Sequence, residues 1–310
     1  KFINPFTDYG FKLIFGREVS KILLIEFLND LLEGERVITD LTFLNNEQLP
    51  DYPEGRGIIY DVYCTTDTGE KIIVEMQNRM QSNFKERSIF YLSRAIVNQG
   101  RTGHDWKFEI KAVYGVFLMN FIMDKNIKLR TDVILADKET GELFSEKFRQ
   151  IFIALPLFKK SEEECETNFE RWIYILNNME TLKRMPFKAR KAVFEKLEDI
   201  ADVASMSPKE RELYDNSVKV YRDYLVTMDA AEKEGIKKGM EEGLKEGMKE
   251  GLKKGLEEGL EEGLKKGLKK GREEALNIFQ TAIDMKKQGI DNQLIAEKTG
   301  LPLSLIESLK

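Results

Sequence analysis

The spacing of apolar and polar positions changes twice along the chain and predicts three zones. Over residues 1 to about 160, short alternating runs typical of strands mix with runs at helical spacing. Residues 161 to about 230 carry the helical spacing alone, and beyond them a glycine repeat precedes a short apolar end. The pattern therefore predicts an α/β domain over residues 1–160 and a helical extension over 161–230.

The first zone is predicted to contain helices and strands in an order typical of a mixed sheet with flanking helices. The first predicted helix spans residues 21–32, with Ser20 as its N-cap and Gly34 after its end. Apolar Ile89, Leu92 and Ile96 are expected to face the core from a second helix, at 82–99. Strands are predicted at 37–44, 58–64, 71–77, 113–121 and 151–157.

Two acidic residues fall at facing positions of neighbouring predicted strands. A strand period of two directs Glu75 and Gln77 to one face, and a hairpin loop of about five residues places Asp61 opposite Glu75. Two carboxylates about 5 Å apart repel each other, and a hard cation offsets that repulsion. The carbonyl oxygen of Met76 is a third candidate ligand for Mg²⁺. A solvated face without a ligand is the alternative interpretation.

Polar residues beside this pair are candidates for contacts with DNA. Arg87, Tyr91 and Arg94 fall on one stripe of the helix predicted at 82–99, where they would contact phosphates next to the carboxylates. The spacing fits a solvated helix face equally well. Asp8 and Lys12 are spaced to pair across one helical turn or to reach the carboxylates from the N-terminal segment.

Composition narrows the classes of function. The chain has 49 Lys and Arg against 54 Asp and Glu, so its formal net charge is -5 and any DNA contact needs a local basic patch. The single histidine, His104, falls in a polar run read as a loop and excludes histidine-rich metal sites. Two cysteines are too few for a disulfide framework, and the longest apolar stretch is too short for a membrane span. A cytoplasmic protein with no membrane partner is expected.

The segments around the two carboxylates resemble a known nuclease core. Residues 58–64 (Ile-Ile-Tyr-Asp-Val-Tyr-Cys) and 73–78 (Ile-Val-Glu-Met-Gln-Asn) resemble the D…(D/E)xK motif of PD-(D/E)XK nucleases. Residues 4–16, 74–77 and 86–94 and the glycine-rich tail resemble the recombination-promoting nuclease and PD-(D/E)XK nuclease family transposase group, over nearly the whole chain.

This resemblance implies an enzyme that hydrolyses DNA phosphodiester bonds with Mg²⁺ or Mn²⁺, associated with mobile elements, recombination or defence. Asp61, Glu75 and Gln77 match the catalytic D…ExQ residues of the family. Gln77 stands where the wider superfamily has a lysine, so the mechanism would depend more on the metal. A catalytically weak or inactive nuclease fold that binds DNA or oligomerises is the competing interpretation, and a filament built by the repeat is a third.

The tail after residue 230 is predicted to hold two segments. From Gly235 to Gly271 a glycine recurs at every fourth position, usually followed by an apolar residue and two charged ones. This segment, 231–274, is interpreted as a helical element through which the chain forms a homo-oligomer, or as a flexible linker. Residues 275–310 resemble a small helix-turn-helix hairpin, which is expected to pack rather than to read DNA bases.

Overall fold

A computed structural model of the chain describes residues 1–48, 57–101 and 106–309, so His104 lies outside the described residues. These residues form two compact units, 1–226 and 227–310.

The first unit is built on a mixed sheet of six strands. The described strands are β1 (Leu41–Phe43), β2 (Glu47–Gln48), β3 (Ile58–Ile59), β4 (Val62–Thr66), β5 (Lys71–Gln77), β6 (Val113–Met119), β7 (Arg130–Ala136) and β8 (Leu143–Ala154). The sheet order is β1-β4-β5-β6-β8-β7, and β2 pairs separately with β3. Strands β5, β6 and β8 run parallel, whereas β4 and β7 are antiparallel to their neighbours. The fold is therefore mixed α/β, as predicted.

Helices cover both faces of this sheet. The described α-helices are α1 (Asp8–Phe15), α2 (Lys21–Leu31), α3 (Phe84–Val97), α4 (Asn168–Asn178), α5 (Val193–Ala201), α6 (Pro208–Lys287), α7 (Asn292–Thr299) and α8 (Leu303–Ser308). The Thr7 hydroxyl caps α1 by accepting a hydrogen bond from the Gly10 N–H. Thr167 and Glu170 form a capping box at α4.

Alternation along the central strands divides the apolar residues into two layers. Val62, Val74 and Met76 point to the layer that contains Phe27 and Trp172, on the side of α1, α2, α4 and α5. Tyr63 and Ile73 point to the opposite layer, where Phe84 and Leu92 of α3 are buried. Glu75 and Gln77 share the strand parity of Ile73, so their side chains point toward the α3 layer.

Several predicted elements have the expected bounds. Strand β5 spans the predicted 71–77, α2 ends within one residue of the predicted helix 21–32, and α3 lies inside the predicted 82–99. The predicted strand 58–64 is interrupted at Tyr60 and Asp61, which separate β3 from β4. The predicted strand 37–44 contracts to Leu41–Phe43.

Sequence patterns missed the ribbon formed by β7 and the first half of β8. Val133, Ile134 and Leu135 are each more than 40% exposed, and residues 143–147 of β8 are largely solvated. Because neither face of this ribbon is buried along its length, no alternation of apolar and polar residues marks it. The prediction of a strand at 151–157 captured only the buried end of β8.

The helical extension shares the core of the first unit. Trp172 of α4, Phe194 and Leu197 of α5, and Tyr214 of α6 belong to the same buried cluster as α1 and α2. The first part of α6, through Val226, therefore belongs with the sheet. The finer division of the chain into four segments remains a prediction.

The second unit contains the glycine repeat within α6, followed by α7 and α8. Ala282, Ile295 and Ile306 form its small buried cluster, and Gly300 ends α7 at a φ of 68°. No helix in the described part of the chain has the length and apolarity that a membrane span requires.

Candidate functional site

The hairpin of β4 and β5 brings the two predicted carboxylates together. Val62 pairs with Val74, so the next facing positions toward the end of β5 are Asp61 and Glu75. At the loop end of the hairpin, the Thr66 N–H donates to the Glu70 carbonyl and Gly69 adopts a φ of 92°. These two features close a loop over residues 66–70. The register predicted from the sequence is confirmed.

Hydrogen bonds hold the Asp61 carboxylate against the edge of β5. Its Oδ2 accepts from the Met76 N–H at 2.9 Å, while the Asp61 N–H donates to Glu75 Oε1 at 3.1 Å. The Asn46 side chain donates to the Asp61 carbonyl at 3.0 Å. Because Asp61 lies in the interruption between β3 and β4, its own backbone is free to make these contacts in place of ladder bonds.

Gln77 positions the second carboxylate. Its Nε2 donates to Glu75 Oε2 at 2.9 Å, and both side chains are buried, with Glu75 only 1% exposed. Each oxygen of Glu75 therefore accepts one hydrogen bond, from Gln77 or from the Asp61 backbone. This geometry fixes the orientation of the carboxylate within the sheet.

Both carboxylates are destabilised in their charged form. Burial, followed by the negative charge of Asp61, raises the pKa of Glu75 well above its usual value. Burial is also the main cause that raises the pKa of Asp61, against the lowering effect of the Met76 N–H. A pair of this kind gains stability when a cation shares it.

Two basic side chains act on the pair from different helices. Arg87 of α3 lowers the pKa of both Asp61 and Glu75, although their burial outweighs its effect. Lys12 of α1 acts on Asp61 while its Nζ pairs with Asp8 at 2.7 Å. Lys12 therefore pairs with Asp8 and also lies near Asp61. Both alternatives that the sequence left open for these residues apply.

The stripe on α3 forms a connected, half-buried group. Arg87 Nε donates to the Tyr91 hydroxyl at 3.0 Å, and its guanidinium lies 4.9 Å from the centroid of that ring. The Tyr60 hydroxyl donates to the Tyr91 carbonyl at 3.0 Å. Arg94 lies close enough to lower the pKa of Tyr60, which burial raises. Arg87 and Tyr91 thus lie beside the carboxylates, and Arg94 lies near Tyr60.

One expectation about α3 is wrong. Leu92 is buried as expected, but Ile89 is 50% exposed, and Ser88 and Ala95 join Leu92 on the buried face. Gly115 leaves room for Leu92, because a Cβ there would meet Leu92 Cδ1 at 2.5 Å. The glycine thus admits Leu92 against the sheet.

The donor set fits a hard divalent cation. Among the described residues no group of three or more His, Cys, Asp or Glu side chains could hold a metal ion. A site here would use Asp61, Glu75 and the Met76 carbonyl, which lies on the same strand edge as the Met76 N–H that contacts Asp61. Mg²⁺ accepts so few protein ligands because it keeps several waters, whereas Zn²⁺ prefers nitrogen and sulfur donors.

Other residues that secure the end of β5 were not predicted. The Asn78 side chain donates to the Phe6 carbonyl at 2.6 Å, and the Tyr224 hydroxyl donates to the Asn78 carbonyl at 3.2 Å. Nearer the start of α6, the Tyr214 hydroxyl accepts from the Asn4 N–H at 2.8 Å. The helical spacing of Tyr214, Tyr221 and Tyr224 was the available signal for this packed face.

Comparison with known protein families gives a match. A family model described as PD-(D/E)XK nuclease family transposase matches residues 5–231, a span that contains both carboxylates, Gln77 and the α3 stripe. No curated protein and no solved structure matches the chain.

Proposed function

We propose that this chain, which belongs to the PD-(D/E)XK nuclease family transposases, is a divalent-metal-dependent DNA endonuclease. Membership of the family places it among nucleases associated with mobile elements. The observation that carries the proposal is the facing pair Asp61 and Glu75, held together at the hairpin of β4 and β5 and shifted toward their neutral forms by burial. The substrate class, DNA, is the one that the family implies.

Each residue of the site has a distinct proposed role. Asp61, Glu75 and the Met76 carbonyl would hold Mg²⁺ or Mn²⁺, which when bound supplies an activated water and neutralises charge on the scissile phosphate. Gln77 keeps Glu75 in place through its hydrogen bond to Oε2. Since glutamine carries no charge, Arg87 supplies positive charge beside both carboxylates.

The α3 stripe is the proposed contact to DNA. Arg87, Tyr91 and Arg94 lie on the helix that packs over the carboxylate face, where basic and hydroxyl groups would contact phosphates. Because the whole chain has a net charge of -5, binding would depend on this local group and weaken steeply with salt.

Plasmid nicking with Mg²⁺ or Mn²⁺ tests the activity. Asp61→Ala and Glu75→Ala should each abolish cutting, as should a chelator, because each change removes one of two charged ligands. Gln77→Ala should do less damage, since it removes an orienting hydrogen bond alone. Glu139→Gln removes one charge from an exposed loop and serves as the matched control that keeps cutting. Equal cutting by wild type and both carboxylate variants would show a contaminating nuclease and refute the assignment.

Thermal unfolding separates an enzyme from a decayed fold. Asp61→Asn should leave the metal-free stability unchanged or slightly higher, because it removes repulsion with Glu75. Mn²⁺ should raise the melting temperature of the wild type and not of this variant. No cutting with any metal, together with no metal-induced stabilisation of the wild type, would favour an interaction module instead.

We also propose that the chain forms a homo-oligomer through its glycine repeat. Its apolar side chains along α6 are exposed, with Leu252 at 75%. Deleting residues 232–274 should lower the mass measured by light scattering toward that of one chain. The same mass with and without the repeat would reject this role.

A further inference from the structure

The glycine repeat presents a long unpartnered apolar series. Nine side chains that directly follow repeat glycines are 57–75% exposed. They are Ile236, Met240, Leu244, Met248, Leu252, Leu256, Leu260, Leu264 and Leu268. A monomeric protein rarely leaves so many large apolar groups in water along one element.

The repeat glycines leave space that no described residue occupies. Within the described residues, a Cβ built at any of the ten glycines from Gly235 to Gly271 meets no atom within 4 Å beyond the helix's own backbone. Each glycine destabilises a helix interior by about 1 kcal/mol relative to alanine. The glycines therefore serve no packing role inside the described chain, whereas a second helix would use the space for close backbone approach.

The four-residue period sets the geometry of such a pair. Four residues of an α-helix turn about 400°, so the glycine and leucine positions advance about 40° per repeat in the right-handed sense. A sequence period longer than 3.6 residues favours a right-handed supercoil. Small residues at four-residue spacing allow helices to cross closely with that hand.

The charged residues decide the direction of pairing. Every repeat from residue 237 to 274 carries two charged residues, and in eight of the ten repeats the two have the same sign. In a parallel, in-register pair each of those eight repeats would face its own like charges. Parallel pairing is therefore disfavoured.

We propose that two copies of this chain pair antiparallel along residues 237–274, with the two-fold axis between Gly255 and Leu256. The inference rests on the self-association proposed above and specifies its partner, direction and register. In this register each of the nine glycines from Gly239 to Gly271 lies level with the residue that follows a glycine in the partner, as Gly251 does with Leu260. Leucine side chains then fill the space that the facing glycines leave.

The same register matches the charges. Three pairs of facing repeats bring two lysines against two glutamates: 253–254 with 257–258, 241–242 with 269–270, and 237–238 with 273–274. The other two pairs, 245–246 with 265–266 and 249–250 with 261–262, each combine one opposite and one like contact. If the register shifts by one repeat, residues 253–254 face the same two lysines of the partner copy. A shift in the other direction brings glutamates 257–258 against themselves in the same way. A shift by four repeats restores opposite charges but pairs a shorter stretch.

Charge reversal in the full chain tests the pairing. Lys253→Glu with Lys254→Glu places glutamates against residues 257–258 and should raise the dissociation constant of the dimer about tenfold. The matched control is Lys265→Glu with Lys266→Glu, which makes the same charge change but leaves one opposite and one like contact with residues 245–246. This control should keep the wild-type dissociation constant.

Mixing two charge-reversed variants tests whether the loss of affinity arises between chains or within one helix. Glu257→Lys with Glu258→Lys should also weaken self-association, yet mixing this variant with Lys253→Glu/Lys254→Glu should restore wild-type affinity as a heterodimer. Sedimentation of each variant and of the mixture measures this. Equal weakening by the control variant, or no rescue in the mixture, would overturn the register.

Single cysteines in the full chain locate the axis. Under mild oxidation Leu256→Cys should form a disulfide-linked dimer, whereas Met240→Cys, which lies level with Gly271 of the partner copy, should not. Equal linking at both positions would demonstrate parallel pairing, and linking at Met248→Cys or Leu264→Cys in place of Leu256→Cys would demonstrate the four-repeat shift. A wild-type chain that stays monomeric overturns the proposal. Because none of these measurements uses cutting, an inactive carboxylate site would leave the outcome unaffected.

Discussion

Glycine and glutamate have opposite physical roles in the two units of this protein. In the first unit, a Cβ at Gly10 of α1 would meet the Asn4 carbonyl oxygen at 2.2 Å, so the fold requires glycine there. At Gly247 in the repeat the same atom would meet nothing within 4 Å among the described residues. Tertiary packing requires the first glycine, whereas the second would gain a packing role only in the pairing proposed above.

Acidic residues show the same contrast. Glu75 is buried and its pKa is raised because burial and Asp61 disfavour its charge. Glu261 in the repeat is exposed and pairs with Lys265 at 2.7 Å, one helical turn away. An exposed pair of this kind contributes at most a few tenths of a kcal/mol, whereas a buried carboxylate needs a ligand or a proton. The proposed chemistry therefore depends on the first unit and the proposed assembly on the repeat.

The largest expected contrast comes from deleting one apolar side chain in each unit. Trp172→Ala removes a fully buried ring that contacts Phe27 and Phe194, and should lower the free energy of unfolding of the first unit by about 3–5 kcal/mol. Leu256→Ala should change that free energy by less than about 0.5 kcal/mol. Denaturant titration measures both, and similar losses would show that the repeat is part of the core.

Two matched glycine-to-alanine substitutions should change stability in opposite directions. Gly10→Ala forces a methyl group against a backbone carbonyl and should destabilise the first unit by about 1–3 kcal/mol. Gly247→Ala should stabilise the isolated helix by up to about 1 kcal/mol while weakening self-association. Thermal unfolding and sedimentation at several concentrations measure the two effects. A repeat variant that associates more tightly would contradict the proposed close packing.

A smaller effect is expected at the hairpin loop. Burial raises the pKa of Glu70, but hydrogen bonds from Thr66, Thr68 and Arg36 outweigh burial and hold that pKa at about 2. Because the folded pKa is below the usual 4.5, the stabilisation is present above pH 4.5 and is lost as the pH falls toward 2. Glu70→Gln should therefore cost about 1 kcal/mol at pH 7. The difference from wild type should vanish near pH 2, and a constant difference across this window would disprove the linkage.

The smallest effect is expected from removing the tail. A chain that ends at Met228 keeps the hydrogen bonds of Tyr214 and Tyr224, so its melting temperature should shift by less than about 2 °C. A chain that ends at Ser207 loses this packed part of α6 and should melt well below it. If the longer chain is insoluble or lacks a cooperative transition, the repeat contributes to the first unit and the boundary is wrong.

The hairpin shows why part of the site could be predicted. The strand period and the loop at 66–70 depend on neighbouring residues alone, so the facing of Asp61 and Glu75 followed from local rules. The interruption at Tyr60 and Asp61 did not, since it depends on contacts such as the bond from Asn46. The prediction for α3 was right at Leu92 and wrong at Ile89, because the width of the buried helix face depends on strands far away in sequence.

The sequence by itself determined the family, the α/β order, the carboxylate pair and the four-residue glycine period, because each is written in residues that are close along the chain. Tertiary structure alone decided that Arg87 and Lys12 act on the carboxylates and that helices α4 and α5 complete the core around Trp172. Those facts depend on groups far apart in sequence, and only burial makes their charges and volumes matter to one another.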